Sequence, residues 1–484
     1  MVTIMEQEEK EVKTVKTKRK YEMDMCTGSL LPKILLFAIP LMASSLLQLM
    51  FNAADIIVVG RFAGDDSLAA VGSTSSIVNL LVNLFVGLSV GANVLTARYF
   101  GARKSAQLSK TIHTAMMLAI VGGIFLALVG FFGARTILEL MQSPPEVLDK
   151  ATLYLKLYFL GMPANLVYNY GASILRAIGD TRRPLYYLAA AGFINVGLNL
   201  VFVIVFHMDV AGVAAATVIS QCFSAFMIIR CMMNESGSLK LRPKLLAFHK
   251  QELLKIMQIG IPAGFSGILF SLSNVVIQSA INGFGNVVVA GNSAAANIEG
   301  FVYVSMNAFY QASISFTSQN VGAGKYHRVN RITLYCVSCA VIAGLVFGIG
   351  AYLLGTPLLG LYTTSPDVIE MGLVRLSYVS ATYALCGIMD VMVGSLRGLG
   401  YSIMPMFVSL IGACGLRLVW IATIFQLPAF HTLETIYISY PVSWAITASI
   451  HILCYLVIMY RLKKRIAARE AERKRKMEME GLTV

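Results

Sequence analysis

Residues 33–60 read KILLFAIPLMASSLLQLMFNAADIIVVG, an apolar run long enough to cross a bilayer as one helix. Gln48, Asn52 and Asp55 fall at i, i+4 and i+7, so the three polar side chains share one helix face. A carboxylate in hydrocarbon is costly unless it faces a protein interior or a wet cavity, and an acid carried there on a polar stripe is a functional candidate. Asp55 is therefore the candidate ion-coupling group. The competing role is a structural Asp bonded to a neighbouring helix. Pro40 removes a backbone hydrogen bond from the same helix and marks a candidate hinge.

Composition extends this reading to the whole chain. Of 484 residues, 57% are hydrophobic and only 13% charged, with mean hydropathy +0.71, where a soluble domain carries about a quarter charged residues. The expected fold class is an all-α polytopic membrane protein of twelve transmembrane helices, from 33–60 to 434–460, with the fourth over 147–177, the tenth over 367–396 and the eleventh over 402–427. The net charge of +14 does not indicate a nucleic-acid partner. Thirty-three of the 39 Lys and Arg lie in the tails and alternate connections, the pattern that places both termini and the central connection in the cytoplasm of a plasma or inner membrane protein. Arg61, Arg135, Lys150, Lys156 and Arg375 are assigned near the opposite face, and Arg417 within a span. Lys10 to Lys20 are interleaved with acids, with no apolar core or cleavage site, which argues against a signal peptide. The eight cysteines fall mostly in apolar runs, where a thiol behaves as a small hydrophobe.

Comparing halves reveals a repeat. Leu175-Arg176-Ala177-Ile178-Gly179 with Pro184 recurs as Leu396-Arg397-Gly398-Leu399-Gly400 with Pro405, and Gly101 and Lys104 recur as Gly322 and Lys325, all 221 positions apart. Pro40, Asn52 and Phe62 recur as Pro262, Asn274 and Phe284 at 222. The domains follow: an N-terminal tail 1–32, a six-helix bundle 33–234, a linker 235–251, a second bundle 252–460 and a basic tail 461–484. Six spans per half make the repeats parallel, an arrangement that predicts a central cleft and rocking alternating access. Asp55 has Ile277 as its counterpart, so the scaffold itself does not require an acid there.

These residues resemble the multidrug and toxic compound extrusion (MATE) family, in the branch with an acid in span 1, similar to DNA-damage-inducible protein F. The resemblance covers roughly residues 30 to 460. It rests on Pro40 with Asn52-Ala53-Ala54-Asp55 and Val59-Gly60, Ala97-Arg98-Tyr99-Phe100-Gly101, Leu175 through Arg182, and Leu396-Arg397-Gly398. It implies a secondary antiporter that exports organic, often cationic, compounds in exchange for H⁺ or Na⁺, with no other cofactor and no metal beyond a possible Na⁺ at Asp55. Its partners are a small organic substrate and membrane lipid, and a monomer is expected. Asp55, Asn195, Asn199 and Thr217 match the coupling cluster. Asn199 stands where some relatives carry Asp; losing that carboxylate weakens a Na⁺ site and favours protons.

Further polar residues in spans are candidates for a substrate cavity: Gln48, Asn52, Asn169, Asn274, Glu299, Asp390 and Arg417. Their alternative role is interhelical hydrogen bonding. For Glu299, Asp390 and Arg417 the bland account is a buried pair or triad around Arg417, since unpaired charge in a membrane is so costly. A flippase for lipid-linked precursors would favour a cationic cavity, and the intramembrane cation is chiefly Arg417. The histidines are scattered and no nucleophile motif appears, so an enzyme is not expected. There is no phosphate-binding Gly-x-x-x-x-Gly-Lys-Ser/Thr loop. Energy is expected from an ion gradient.

Overall fold

The computed structural model describes residues 21–141 and 144–479; the basic stretch at 10–20 lies outside them. In hydrocarbon every backbone N–H and C=O must be satisfied within its own segment, and the described residues accordingly form helices and no strands. They are α1 (Leu30–Phe62), α2 (Asp65–Gly101), α3 (Ser105–Leu140), α4 (Pro145–Leu160), α5 (Met162–Ala177), α6 (Arg182–Leu200), α7 (Asp209–Met233), α8 (Lys250–Asn282), α9 (Asn286–Gly322), α10 (Tyr326–Leu353), the short α11 (Gly355–Gly360), α12 (Pro366–Tyr378), α13 (Tyr383–Leu399), α14 (Ile403–Ser409), α15 (Leu416–Ala422) and α16 (Leu433–Met479). Among the described residues, eleven continuous or nearly continuous helical segments are long and apolar enough to cross a membrane.

The remaining expected span, 147–177, is two helices of 16 residues each, α4 and α5. Pro163, in the first turn of α5, cannot donate back to α4. At the junction, a Cβ on Gly161 would lie 2.5 Å from Gln221 Oε1 of α7, so a larger residue there would have to turn that side chain aside. The tenth span is likewise interrupted, by a 3₁₀ turn at Ser380–Thr382. A π-helical turn, Leu410–Gly415, separates α14 from α15, and another, Val201–Val205, follows α6.

The helices form two compact units. The first runs to Gly260 and includes Ser318–Val329; the second comprises Ile261–Thr317 and the chain from Asn330 onward. Within the first unit, the end of α2 crosses the end of α9 at backbone contact. A Cβ on Gly101 would meet the Gln319 carbonyl oxygen at 2.1 Å, and one on Gly322 would meet that of Arg98 at 2.0 Å. Gly101 and Gly322 are repeat partners, and so are Arg98 and Gln319. The reciprocity is that of a local two-fold contact.

Beside this crossing, residues 21–29 pass as an ordered strap ahead of α1. Met25 is fully buried. The Asn320 Nδ2 donates to Met25 O at 3.0 Å, Lys325 Nζ to Cys26 O at 2.9 Å and Arg328 Nη2 to Gly28 O at 2.9 Å. Met23 N donates to Ile178 O at 3.2 Å, and Gln319 Nε2 to Ala177 O at 2.7 Å. Strap, α5 end and α9 end are thus one hydrogen-bonded cluster.

Two predictions follow from this cluster. Gly101→Ala or Gly322→Ala forces backbone apart and lowers stability by on the order of 1–3 kcal/mol; thermal unfolding of the double variant should show less than the sum, because the two sites share one contact. The second concerns Asp24. Burial pushes its carboxyl up, but the Thr27 hydroxyl, the Cys26 N–H and the Lys33 and Lys325 charges outweigh that and hold it below its ordinary value. A carboxyl depressed in the folded state stabilises above its unfolded value, and the contribution is lost as pH falls through the folded one. Amide exchange over residues 21–29 should therefore be faster in Asp24→Asn than in the wild type at pH 7, with the difference shrinking as the pH falls below the ordinary carboxylate range.

Candidate functional site

The Asp55 site is built from four helices of the first unit. Phe51 of α1 packs against Gly192 of α6, where any Cβ would overlap the ring, and meets Phe193 edge-on with centroids 5.8 Å apart. That contact sets the register of α1 against α6. One turn further along α1, the Asp55 carboxylate reaches the α6 amides.

Asn199, fully buried, donates from Nδ2 to Asp55 Oδ1 at 2.5 Å and to Asn195 Oδ1 at 3.3 Å. Asn195 Nδ2 in turn donates to Thr217 Oγ1 of α7 at 3.3 Å, and that hydroxyl donates to Val213 O at 3.0 Å. The chain Asp55–Asn199–Asn195–Thr217 joins the four residues of the expected coupling cluster in one path. The Asn199 Oδ1 is buried with no hydrogen-bond partner. No Lys, Arg or His among the described residues lies within ion-pair distance of Asp55. Tyr154 and Tyr158 of α4 stack on each other at 5.9 Å and lie within electrostatic range of the carboxylate. Sequence reasoning missed both tyrosines. The broken span 4 is what brings them here, and the one signal for it was Gly161 followed closely by Pro163. The π turn at Val201–Val205 begins two residues after Asn199, a feature often found beside functional sites.

Other candidates stand apart. Gln48 and Asn52 share the helix face of Asp55 but are exposed and make no hydrogen bond among the described residues, as is true of Asn274 in the second unit. Asn169 donates to Asn165 O and Oδ1 at 2.9 Å within α5. Helix α1 runs unbroken through Pro40, whose carbonyl accepts from Ser44 Oγ at 2.8 Å; the repeat pair Pro262 and Ser266 does the same at 2.8 Å.

The second unit corrects the charge assignments. Glu299 pairs with Arg375, not Arg417: Arg375 Nε and Nη2 donate to its two oxygens at 2.9 and 2.7 Å. Arg375 is 7% exposed, buried within the unit. Its Nη1 donates to Asn292 Oδ1 at 2.6 Å, and Tyr437 OH to the same oxygen at 3.2 Å. Asp390 lies in the electrostatic surroundings of Tyr303 and Arg397, and forms no salt bridge among the described residues. Arg397 donates to Tyr310 OH at 2.5 Å and Ser266 Oγ at 3.1 Å. A triad of Glu299, Asp390 and Arg417 does not form.

The MatE family model matches this chain twice, over residues 40–201 and 262–423. The chain belongs to the MatE family. The two matches begin 222 positions apart, the offset of Pro40 and Pro262. The probable multidrug resistance protein YpnP of Bacillus subtilis is 27% identical over 398 residues, 81% of this chain and 88% of that protein. The multidrug export protein MepA of Staphylococcus aureus is 24% identical over 364 residues, 75% of this chain and 80% of its own. Among solved structures, an outward-facing multidrug resistance MATE family transporter superposes with TM-score 0.86 at 21% identity, covering 92% of this chain and all of its own. A MOP superfamily transporter from Pyrococcus furiosus superposes with TM-score 0.84 at 21% identity, covering 91% and 98%. The MatE fold, an all-α polytopic membrane protein of two six-helix bundles, is thus that of this chain.

Removing the donor should expose what the Asp55 contact contributes. Asn199→Ala leaves the carboxylate with no hydrogen-bond donor and costs about 1–3 kcal/mol. In the Asp55→Ala background the same substitution should cost less, and a double-mutant cycle on thermal unfolding checks the difference.

Proposed function

We propose that this MatE-family chain is a secondary active exporter of organic compounds, exchanging them for protons or Na⁺ at Asp55 in the plasma or inner membrane, with both termini in the cytoplasm. The observation that carries this reading is a carboxylate lodged among α1, α4, α6 and α7 with an amide donor and no cationic partner. A structural acid in a membrane is ordinarily neutralised by an ion pair, as Glu299 is by Arg375. Asp55 has no such partner and so is available to an incoming cation.

The amide chain supports protons over Na⁺. Asn199 presents its N–H to the carboxylate while its Oδ1 stays unused. Once Asp55 takes a proton it becomes a donor, and a half-turn of the Asn199 amide offers Oδ1 as acceptor. Either protonation state then has a matched partner, and the exchange alters the Asn195–Thr217 link between α6 and α7. A Na⁺ ion would instead require several oxygens facing it, where an amide nitrogen now sits. Loss of the Asp55 charge would release a cationic substrate, and its return would favour the next. The relatives carry names of multidrug resistance and export proteins, which supports export of varied organic compounds over flipping of lipid-linked precursors.

The test is uptake of a fluorescent organic cation into everted membrane vesicles with pH and Na⁺ gradients imposed separately. Wild type should respond to the pH gradient. Asp55→Asn, which keeps the hydrogen-bond size but holds no exchangeable charge, should lose at least tenfold in rate. Wild-type rates in that variant would remove Asp55 from the mechanism.

A further inference from the structure

Two glycine crossings bring the ends of second-repeat helices onto α2 of the first repeat. Besides the Gly101 and Gly322 pair, a Cβ on Gly91 would lie 2.2 Å from Ile256 O of α8, and one on Gly260 would lie 2.7 Å from Leu88 Cα. The whole seam lies within the first unit, which takes in the chain to Gly260 and Ser318–Val329. Backbone packed on backbone through glycine supplies dispersion rather than directional bonds. Side chains add Lys255 Nζ to Tyr99 OH at 3.0 Å and Gln319 Nε2 to Ala177 O.

The strap fastens this same seam. On the first-repeat side it runs into α1, Met23 N donates to Ile178 O, and the Arg183 guanidinium lies 5.0 Å from the Tyr21 ring centroid. Gly179, at φ +92°, admits Met23, since a Cβ there would lie 2.5 Å from the Met23 Cβ. On the second-repeat side Asn320, Lys325 and Arg328 donate to the Met25, Cys26 and Gly28 carbonyls. A turn within the segment shapes it: Cys26 N donates to Asp24 Oδ1 at 2.8 Å, Lys33 Nζ to Thr27 O at 2.7 Å, and Gly28 sits at φ +67°. The arrangement is mutual. The linker precedes α8 as the strap precedes α1, and it crosses to first-repeat α3, where Arg242 N donates to His113 Nε2 at 3.0 Å and His249 N to Thr114 Oγ1 at 3.1 Å.

Two properties make the strap releasable. Its bonds to the corner between α9 and α10 run to backbone carbonyls, and water replaces both donors and acceptors once the segment lifts. Apart from Met25 its side chains are exposed or half-buried, so little apolar surface is uncovered.

We propose that residues 21–29 are a latch: seated, they hold the α9–α10 corner on α2, and they lift as the seam opens on the side of the termini. The proposal rests on the exporter reading, in which that side must open to take up substrate.

Ser318 is fully buried one turn before Gly322 and shares its helix face, so the nearly isosteric Ser318→Cys reports the seam. Cys26, half-buried, reports the strap, and Cys336, fully buried in α10, reports the integrity of the fold. The full-length variant in nanodiscs is treated with a water-soluble maleimide, and the labelling rate at each thiol is read by peptide mass spectrometry. Adding Lys325→Gln with Arg328→Gln should speed labelling at Cys26 and at the position-318 thiol together, each at least tenfold, with Cys336 unreactive. Lys325→Arg with Arg328→Lys should keep both slow. A faster Cys26 with position 318 unchanged overturns the proposal, because the strap then lifts without the seam; so does a rise at neither. Should Cys336 react as well, the fold has loosened, and Asp24→Asn, which keeps all three donors, carries the same comparison. Vesicle uptake separates the two readings. Coupled labelling without ion-driven uptake removes the exporter reading and keeps the latch, whereas uptake with uncoupled labelling removes the latch alone.

Discussion

Hydrocarbon offers a polar group no partner, so every polar side chain within these spans must find one in the protein or face water. The rule accounts for the Asp55–Asn199–Asn195–Thr217 path, where each member bonds to the next and only the Asn199 Oδ1 is left without a partner among the four side chains' described bonds. It accounts equally for the bidentate pairing of Glu299 with Arg375, extended through Asn292 to Tyr437. The two solutions differ in kind. An ion pair fixes both charges, and removing either partner leaves an uncompensated buried ion. A carboxylate held by an amide alone remains free to change its charge, because the amide can meet the acid or the anion.

Two copies of one helical scaffold carry these different contents. Pro40 with Ser44 and Pro262 with Ser266 make the same hydroxyl-to-carbonyl bond at the same place in α1 and α8, and Gly101 and Gly322 make the same backbone crossing. Those shared features belong to the framework. What differs sits about two to three turns beyond Ser44 and Ser266: Asp55 against Ile277, and Phe51 against Ser273. The first unit thus fills its space with an aromatic ring and places an acid beyond it, whereas the second leaves an apolar cavity at the corresponding position.

Helix number, the polar face of α1 and the grouping of Asn195, Asn199 and Thr217 were legible in the sequence, the last through family resemblance. Periodicity states which face a residue occupies; it is silent on which helix that face meets. Arg375 shows the consequence. Counting from Pro366 puts it nine residues into a helix, and only tertiary packing reveals Glu299 and Asn292 beside it. Tyr154 and Tyr158 were hidden for a related reason. In an apolar run, aromatic residues read as lipid-facing, and the break at Gly161 interrupts the helix that carries them.

The strap illustrates how a segment with little apolar content can be ordered. Residues 21–29 bury one large side chain, Met25, which at about 25 cal/mol per Å² supplies only a few kcal/mol. Ordering the backbone of nine residues costs more than that. The difference must come from the donors aimed at strap carbonyls, three of them from Asn320, Lys325 and Arg328 within nine residues of the chain around the end of α9. Charged donors bind carbonyls more strongly than neutral ones. Because Asn320 shares the last turns of α9 with Gln319, whose backbone touches Gly101, displacing that helix end by one residue would withdraw the donors and the crossing contact together. Strap order and the glycine crossing are therefore two readings of a single arrangement.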